Sequence, residues 1–166
     1  MTECTSYFSP RTSLAAVGVY LRQQGLWQEI EDTVKIKQKV VTHTPTDKWL
    51  DCLINILAGG EGVVEINTRV RPDRALQAAF GRTDCADQSG VSGTLNACNE
   101  ATVGQMRDAL ARIYQRHSQG YGHDYAASYQ VLDVDMTGMP AGRQGEGVTK
   151  GYFAKQKNQR GRQWGR

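Results

Sequence analysis

Apolar residues recur at helical spacing as far as about residue 120, and the recurrence then stops. In the clearest case Val103, Met106, Leu110 and Ile113 form one stripe, which predicts an amphipathic helix over roughly residues 99–119. A glycine-rich stretch that starts at Gly120 follows directly. The chain is therefore expected to fold first as packed helices and then as something different.

The other helices are predicted from their starting and ending residues. Thr44 suits an N-cap, Pro45 suits the first turn, and Gly59 suits the end of the helix between them. Further helices are predicted for two segments after Ser13, for residues 63–70, for Asp73 to Phe80 and for a short piece around Val91 and Leu95. Residues 35–41 alternate charged and apolar side chains, which predicts a short strand or an extended linker.

Beyond residue 120 the composition is typical of strands. Residues 128–136 and Gly151–Phe153 predict strands, and the glycine- and proline-containing stretch Thr137–Gly142 predicts a turn between them. The expected fold is a mainly α N-terminal domain followed by the opening β-strands of an incomplete α/β domain. We expect a flexible N-terminus (1–13), a helical domain (14–120) and a β-containing segment with a basic tail (121–166).

Positive charge is concentrated at the end of the sequence. The formal net charge is +3, yet residues 137–166 contain seven Lys and Arg residues and a single acid, Glu146. Such a tail is either a solvated, disordered end or a surface that binds phosphates. Tyr152, Phe153 and Trp164 lie among these cations, which is less expected of a disordered tail. The candidate DNA-binding residues here are Lys150, Lys155, Lys157, Arg160 and Arg162.

The composition excludes several classes of protein. With 39% hydrophobic residues the chain has enough apolar material for a core, and no apolar run approaches the length of a membrane span. The N-terminus lacks the pattern of a secretory signal, so a cytoplasmic protein is expected. Its four cysteines form no closely spaced pair, which favours free thiols over a zinc site.

A short segment in the helical half has the small, polar composition of a DNA-recognition helix. It runs from Asp87 to Leu95, and its candidate DNA contacts are Ser89, Ser92 and Thr94. The alternative is a surface helix of poor propensity, because Gly90 and Gly93 each cost about 1 kcal/mol relative to alanine.

Two carboxylates lie in an apolar run near the start of the β-containing segment. Asp133 and Asp135 are two residues apart, so in a strand they point to the same face. Oxygen ligands of this kind suit Mg²⁺ or Mn²⁺, which activate oxygen nucleophiles in phosphoryl transfer. The alternative is a strand that ends in Asp because Asp favours turns.

The order of several motifs resembles one known family. Asp133-Val134-Asp135-Met136-Thr137, then Lys150-Gly151-Tyr152, then Arg160-Gly161-Arg162, together resemble the start of the catalytic domain of DDE transposases from bacterial insertion sequences. Upstream, Asp47-Lys48-Trp49-Leu50, Arg74-Ala75-Leu76 and residues 88–95 are similar to the helical N-terminal region of these enzymes. The resemblance covers roughly residues 14–166.

The resemblance implies an RNase H-like catalytic domain that uses Mg²⁺ or Mn²⁺ to cleave and join DNA at transposon ends. It implies Asp135 as the first catalytic acid and metal ligand, with Asp133 as the runner-up or an accessory ligand. The family also needs a second Asp and a Glu further downstream, and residues 137–166 offer only Glu146. We therefore expect an N-terminal portion of such an enzyme, truncated within its RNase H-like domain and catalytically incompetent alone.

Two other functions remain open from the sequence. One is a stand-alone DNA-binding module that competes with an intact transposase, and the net negative charge of residues 1–136 weighs against it. The other is a complete small nuclease that uses Asp133 and Asp135. DNA is the expected partner in each case, alongside self-association or association with an intact transposase, and no membrane partner is expected.

Overall fold

Helices form the first part of the chain and a small antiparallel sheet forms the last. The computed structural model describes residues 8–39, 42–129, 131, 136–143, 145, 147–153 and 156–165. The helices of this described part are Thr12–Gln23 (α1), Leu26–Thr33 (α2), Pro45–Leu57 (α3), Arg74–Ala79 (α4), Gln88–Asn96 (α5) and Glu100–His117 (α6). Its strands are Met136–Pro140 (β1), Thr149–Phe153 (β2) and Gln156–Gly165 (β3).

Side-chain caps explain where most of the helices begin. The Thr44 hydroxyl accepts from the backbone N–H of Asp47, whose carboxylate accepts from the N–H of Thr44, so α3 starts with a complete capping box. The side chains of Asp73, Asp87 and Asn99 cap α4, α5 and α6 by accepting from a backbone N–H of the first turn, without the reciprocal bond of a capping box. By contrast, α1 begins at Thr12 without a side-chain cap, since the side chain of its N-cap residue Arg11 makes no capping hydrogen bond.

The helix expected over residues 63–70 forms with a different geometry. A 3₁₀ turn covers Val63–Glu65 and a π-helical turn covers Ile66–Val70. β-Branched side chains are stiff and crowd a regular α-helix. The wider π turn places both Ile66 and Val70 in the core, where neither side chain is exposed.

Two groups of buried side chains hold the helices together. The larger joins α3 and the turns after it to α4 and α5, through Leu50, Ile54, Ile66, Val70, Leu76, Phe80 and Val91. The smaller packs α2 against α6 through Ile30, Val34 and Ala109. Each fully buried aliphatic side chain contributes roughly 1.5–3 kcal/mol, so these groups supply the main stabilisation of the helical part.

A buried ion pair also links α3 to the chain that follows α4. The Arg82 guanidinium donates to Asp51 at 2.9 Å, and Asp47 is its second carboxylate partner. Asp51 is fully buried and also accepts from the backbone N–H of Ala86 at 2.8 Å. Removing one partner of such a pair leaves a buried charge and typically costs about 3–5 kcal/mol, so the network fixes this corner of the fold.

The sheet has the order β1-β3-β2, and both strand pairs are antiparallel. Gly161 of the central strand is the register partner of Pro140 on one side and of Thr149 on the other.

Three predictions for this part of the chain were wrong. The turn predicted over 137–142 overlaps β1, Ser128, Tyr129 and Val131 lie outside any strand although residues 128–136 were expected to form one, and β3 was not predicted. β3 is polar and poor in strand-forming residues, and it forms because it exchanges backbone hydrogen bonds with a neighbouring strand on each side.

The chain divides into two units, one ending at Gly122 and one beginning at His123. The expected boundary lies near residue 120. A mainly helical first unit followed by a β-sheet unit agrees with the coarse fold class that the sequence predicts. No described helix is both long and apolar enough to span a bilayer.

Candidate nucleic-acid interface

Cations lie side by side on the small sheet. Lys150 of β2 is the register partner of Arg160 in β3. Directly opposite residues in a sheet point to the same face with their Cβ atoms about 5 Å apart, and alternate residues of a strand share a face. Arg162 therefore lies on the same face as Lys150 and Arg160. Lys150 and Arg162 are exposed, and Arg160 is half-buried. We call these three residues the cationic face.

The described residues of the sheet offer this face no carboxylate. From Met136 onward, the sequence contains one acid, Glu146, and it lies outside the described residues. Like charges directly opposite each other destabilise a strand pair unless something neutralises them. A bound polyanion would neutralise them, because each phosphate that meets a Lys or Arg releases condensed counterions.

The same unit contains a further exposed cation and a glycine that lies beside Arg162. Lys157 is exposed on β3, next to Asn158, which adopts a left-handed backbone conformation with φ of 61°. A glycine, Gly147, lies beside the Arg162 guanidinium, since a Cβ added there would be 3.5 Å from Nη2. The predicted DNA-binding residue Lys155 lies outside the described residues.

The expected catalytic and metal-binding residues also lie outside the described part of the chain. These are Asp133 and Asp135, and with them residues 132–135 of the strand expected over 128–136. Within the residues that are described, no group of three or more His, Cys, Asp or Glu side chains is arranged to hold a metal ion. The assignment of Mg²⁺ or Mn²⁺ to Asp135 and Asp133 thus stays a prediction from the sequence.

The segment expected to be a recognition helix does form a helix, α5, and its three candidate residues lie in different surroundings. The Ser89 hydroxyl donates to the capping carboxylate of Asp87 at 2.8 Å; Ser89 is exposed and Ser92 is half-buried. Thr94 is fully buried, and its hydroxyl donates to Gln38 at 2.6 Å. Thr94 therefore links α5 to the segment that contains Gln38, and its hydroxyl does not face a ligand in this structure. The sequence could not predict this, because the pattern of polar and apolar residues does not show which polar side chains form buried hydrogen bonds.

Comparison with known proteins adds no identification. No known family model matches the chain, and neither the curated proteins nor the solved structures that were searched contain a significant match. Function is therefore inferred from charge and geometry, together with the resemblance of the sequence motifs.

Proposed function

We propose that this protein binds DNA and corresponds to the N-terminal portion of a DDE transposase, with the cationic face of its sheet as a DNA contact. One observation carries the proposal: Lys150, Arg160 and Arg162 share a face without a described carboxylate to neutralise them. DNA is the polyanion of choice here, because the transposase-like motifs lie on the same strands as these cations.

Catalysis in this proposal depends on residues that the chain supplies only in part. Asp135, with Asp133 beside it, would bind Mg²⁺ or Mn²⁺ and supply the first acid of a DDE site. With one or two carboxylates, most of the coordination of the ion falls to water, and affinity is correspondingly weak. We therefore propose that the chain on its own binds DNA without cleaving it.

The test removes the three charges of the cationic face and measures affinity as a function of salt. In the variant Lys150→Gln/Arg160→Gln/Arg162→Gln, the slope of log K against log salt should become less steep by about 2.7, since each lost phosphate contact contributes about 0.9. A labelled duplex of mixed sequence and fluorescence anisotropy suffice, because phosphate contacts do not depend on sequence.

A charge-conserving variant is the matched control. Lys150→Arg/Arg160→Lys/Arg162→Lys changes the same three side chains and keeps every positive charge, so it should retain the wild-type slope. Equal slopes for wild type and the glutamine variant, with DNA bound in both, would overturn the assignment of the cationic face as a DNA contact.

A further inference from the structure

The cations of the helical unit differ in whether they have acidic partners. In residues 8–122 Lys and Arg nearly balance Asp and Glu, and several arginines form ion pairs: Arg11, Arg69, Arg74, Arg82, Arg112 and Arg116. Within the described residues of this unit, the cations without such a pair are Arg22, Lys35, Lys37, Lys39, Lys48, Arg71 and Arg107. Arg22 and Lys35 donate to backbone carbonyls and Lys48 donates to Gln38, so Lys37 and Lys39 are among the cations that remain available for an external anion.

Lys37 and Lys39 belong to an extended segment with one side toward solvent. Between Lys35 and Lys39, exposure alternates residue by residue: the three lysines are exposed, and Ile36 and Gln38 are half-buried. An extended chain rises about 3.3 Å per residue, so alternate lysines are spaced by roughly 6.6 Å along the same side. We call Lys35, Lys37 and Lys39 the lysine strip.

The inward-facing residues hold this segment in register. Ile36 packs against the small apolar cluster of α2 and α6. The Gln38 side-chain oxygen accepts from the Thr94 hydroxyl at 2.6 Å and from the Lys48 ammonium at 3.1 Å. Because both inward residues are anchored, Lys37 and Lys39 are directed outward without rearrangement of the fold.

A polar cleft of about 400 Å³ adjoins the strip. Lys39, Lys48 and Arg71 line it, together with His43, Asp84 and Asp87. Both carboxylates already have partners, since Asp84 pairs with Arg74 at 2.7 Å and Asp87 caps α5 through the N–H of Gly90 at 2.7 Å. Positive charge therefore predominates in the groups of the cleft that remain free to bind.

We propose that the lysine strip and this cleft form a second DNA-binding surface, which contacts the phosphate backbone of the duplex. The inference rests on the proposed DNA-binding function, and it assigns to the helical unit a contact of its own. Lys37 and Lys39 carry it, since the Lys35 ammonium donates to the backbone carbonyl of Glu31. The arrangement favours phosphate over base edges, because lysine ammonium groups act as point charges and the inward side chains are held internally.

The experiment compares charge removal at the strip with charge removal elsewhere in the same unit. In the full chain, Lys37→Gln/Lys39→Gln should make the salt slope of DNA binding less steep by about 1.8. The charge-conserving Lys37→Arg/Lys39→Arg variant should keep the wild-type slope. Arg107→Gln removes an exposed cation of α6 that forms no ion pair in the described structure, and it should also leave the slope unchanged. Circular dichroism of each variant confirms that the helices remain folded.

The outcomes separate this inference from the proposed function. If Lys37→Gln/Lys39→Gln binds with the wild-type slope while the cationic-face variant loses slope, the strip does not contact DNA and the proposed function stands. If Arg107→Gln reduces the salt slope as much per charge as the strip variant, the effect comes from net charge, and the assignment of the lysine strip as a DNA contact is overturned. If wild type fails to bind the duplex even at about 50 mM salt, both proposals are overturned.

Discussion

Gln38 joins three parts of the helical unit through one side-chain oxygen. That atom accepts from Thr94 of α5 and from Lys48 of α3, while its own backbone belongs to the segment between α2 and α3. A buried polar group left without its partner costs about 1–3 kcal/mol, and Thr94 is fully buried, so its bond to Gln38 stabilises the extended segment as well as α5. A residue that the sequence assigns to DNA, Thr94, thus has a structural contact that explains its polarity.

Thr94→Val separates the two assignments of this residue. The substitution keeps the shape of the side chain and removes the hydroxyl, so the free energy of unfolding should fall by about 1–2 kcal/mol. Urea denaturation followed by circular dichroism of the helices measures the change. The neighbouring variant Ser92→Ala, at a half-buried hydroxyl, is the control and should cost less. Unchanged stability together with weaker DNA binding would contradict the buried role of Thr94.

At the scale of single elements, the sequence predicts helices best where a local rule decides. The capping box of α3 and the Asp and Asn caps of α4, α5 and α6 are set by nearby residues and so can be recognised. The π turn at Ile66–Val70 and strand β3 depend on burial and on pairing with distant residues. Burial and strand pairing of this kind leave no local pattern in the sequence, so neither the π turn nor β3 could be predicted from it.

Two helix glycines give a matched test of how closely the elements pack. A Cβ at Gly18 of α1 would lie 2.5 Å from the Phe80 ring, whereas a Cβ at Gly104 of α6 would meet nothing within 4 Å. Gly18→Ala should therefore destabilise the helical unit by about 1–3 kcal/mol through overpacking. Gly104→Ala should stabilise it by about 0.5–1 kcal/mol, because glycine is the poorer helix former.

Urea denaturation of both variants by circular dichroism measures this difference. The sign at Gly18 is the informative result, since alanine favours a helix wherever space allows it. A stabilising Gly18→Ala would mean that α1 does not approach Phe80 as closely as the structure places it.

At the scale of the whole molecule, the sequence predicts two regions and the broad order of helices and then strands, but not the surfaces on which charge accumulates. The basic composition of residues 137–166 indicates a phosphate-binding region, whereas the pairing of Lys150 with Arg160 follows only from strand register. The lysine strip shows in the sequence as alternation within residues 35–39. The sequence does not predict which other cations of the helical unit form ion pairs. Arg74 pairs with Asp84 and Arg82 pairs with Asp51, ten or more residues away along the chain.

Lysine footprinting on the intact chain tests the central claim most directly. The protein is acetylated briefly with and without duplex DNA, and mass spectrometry gives the modification rate of each lysine. The account predicts that DNA slows acetylation of Lys150 several-fold, and that about 1 M salt abolishes the protection by screening the phosphates. If DNA is bound and Lys150 reacts at the same rate as in its absence, the cationic face of the sheet is not the DNA-binding surface and the account is contradicted.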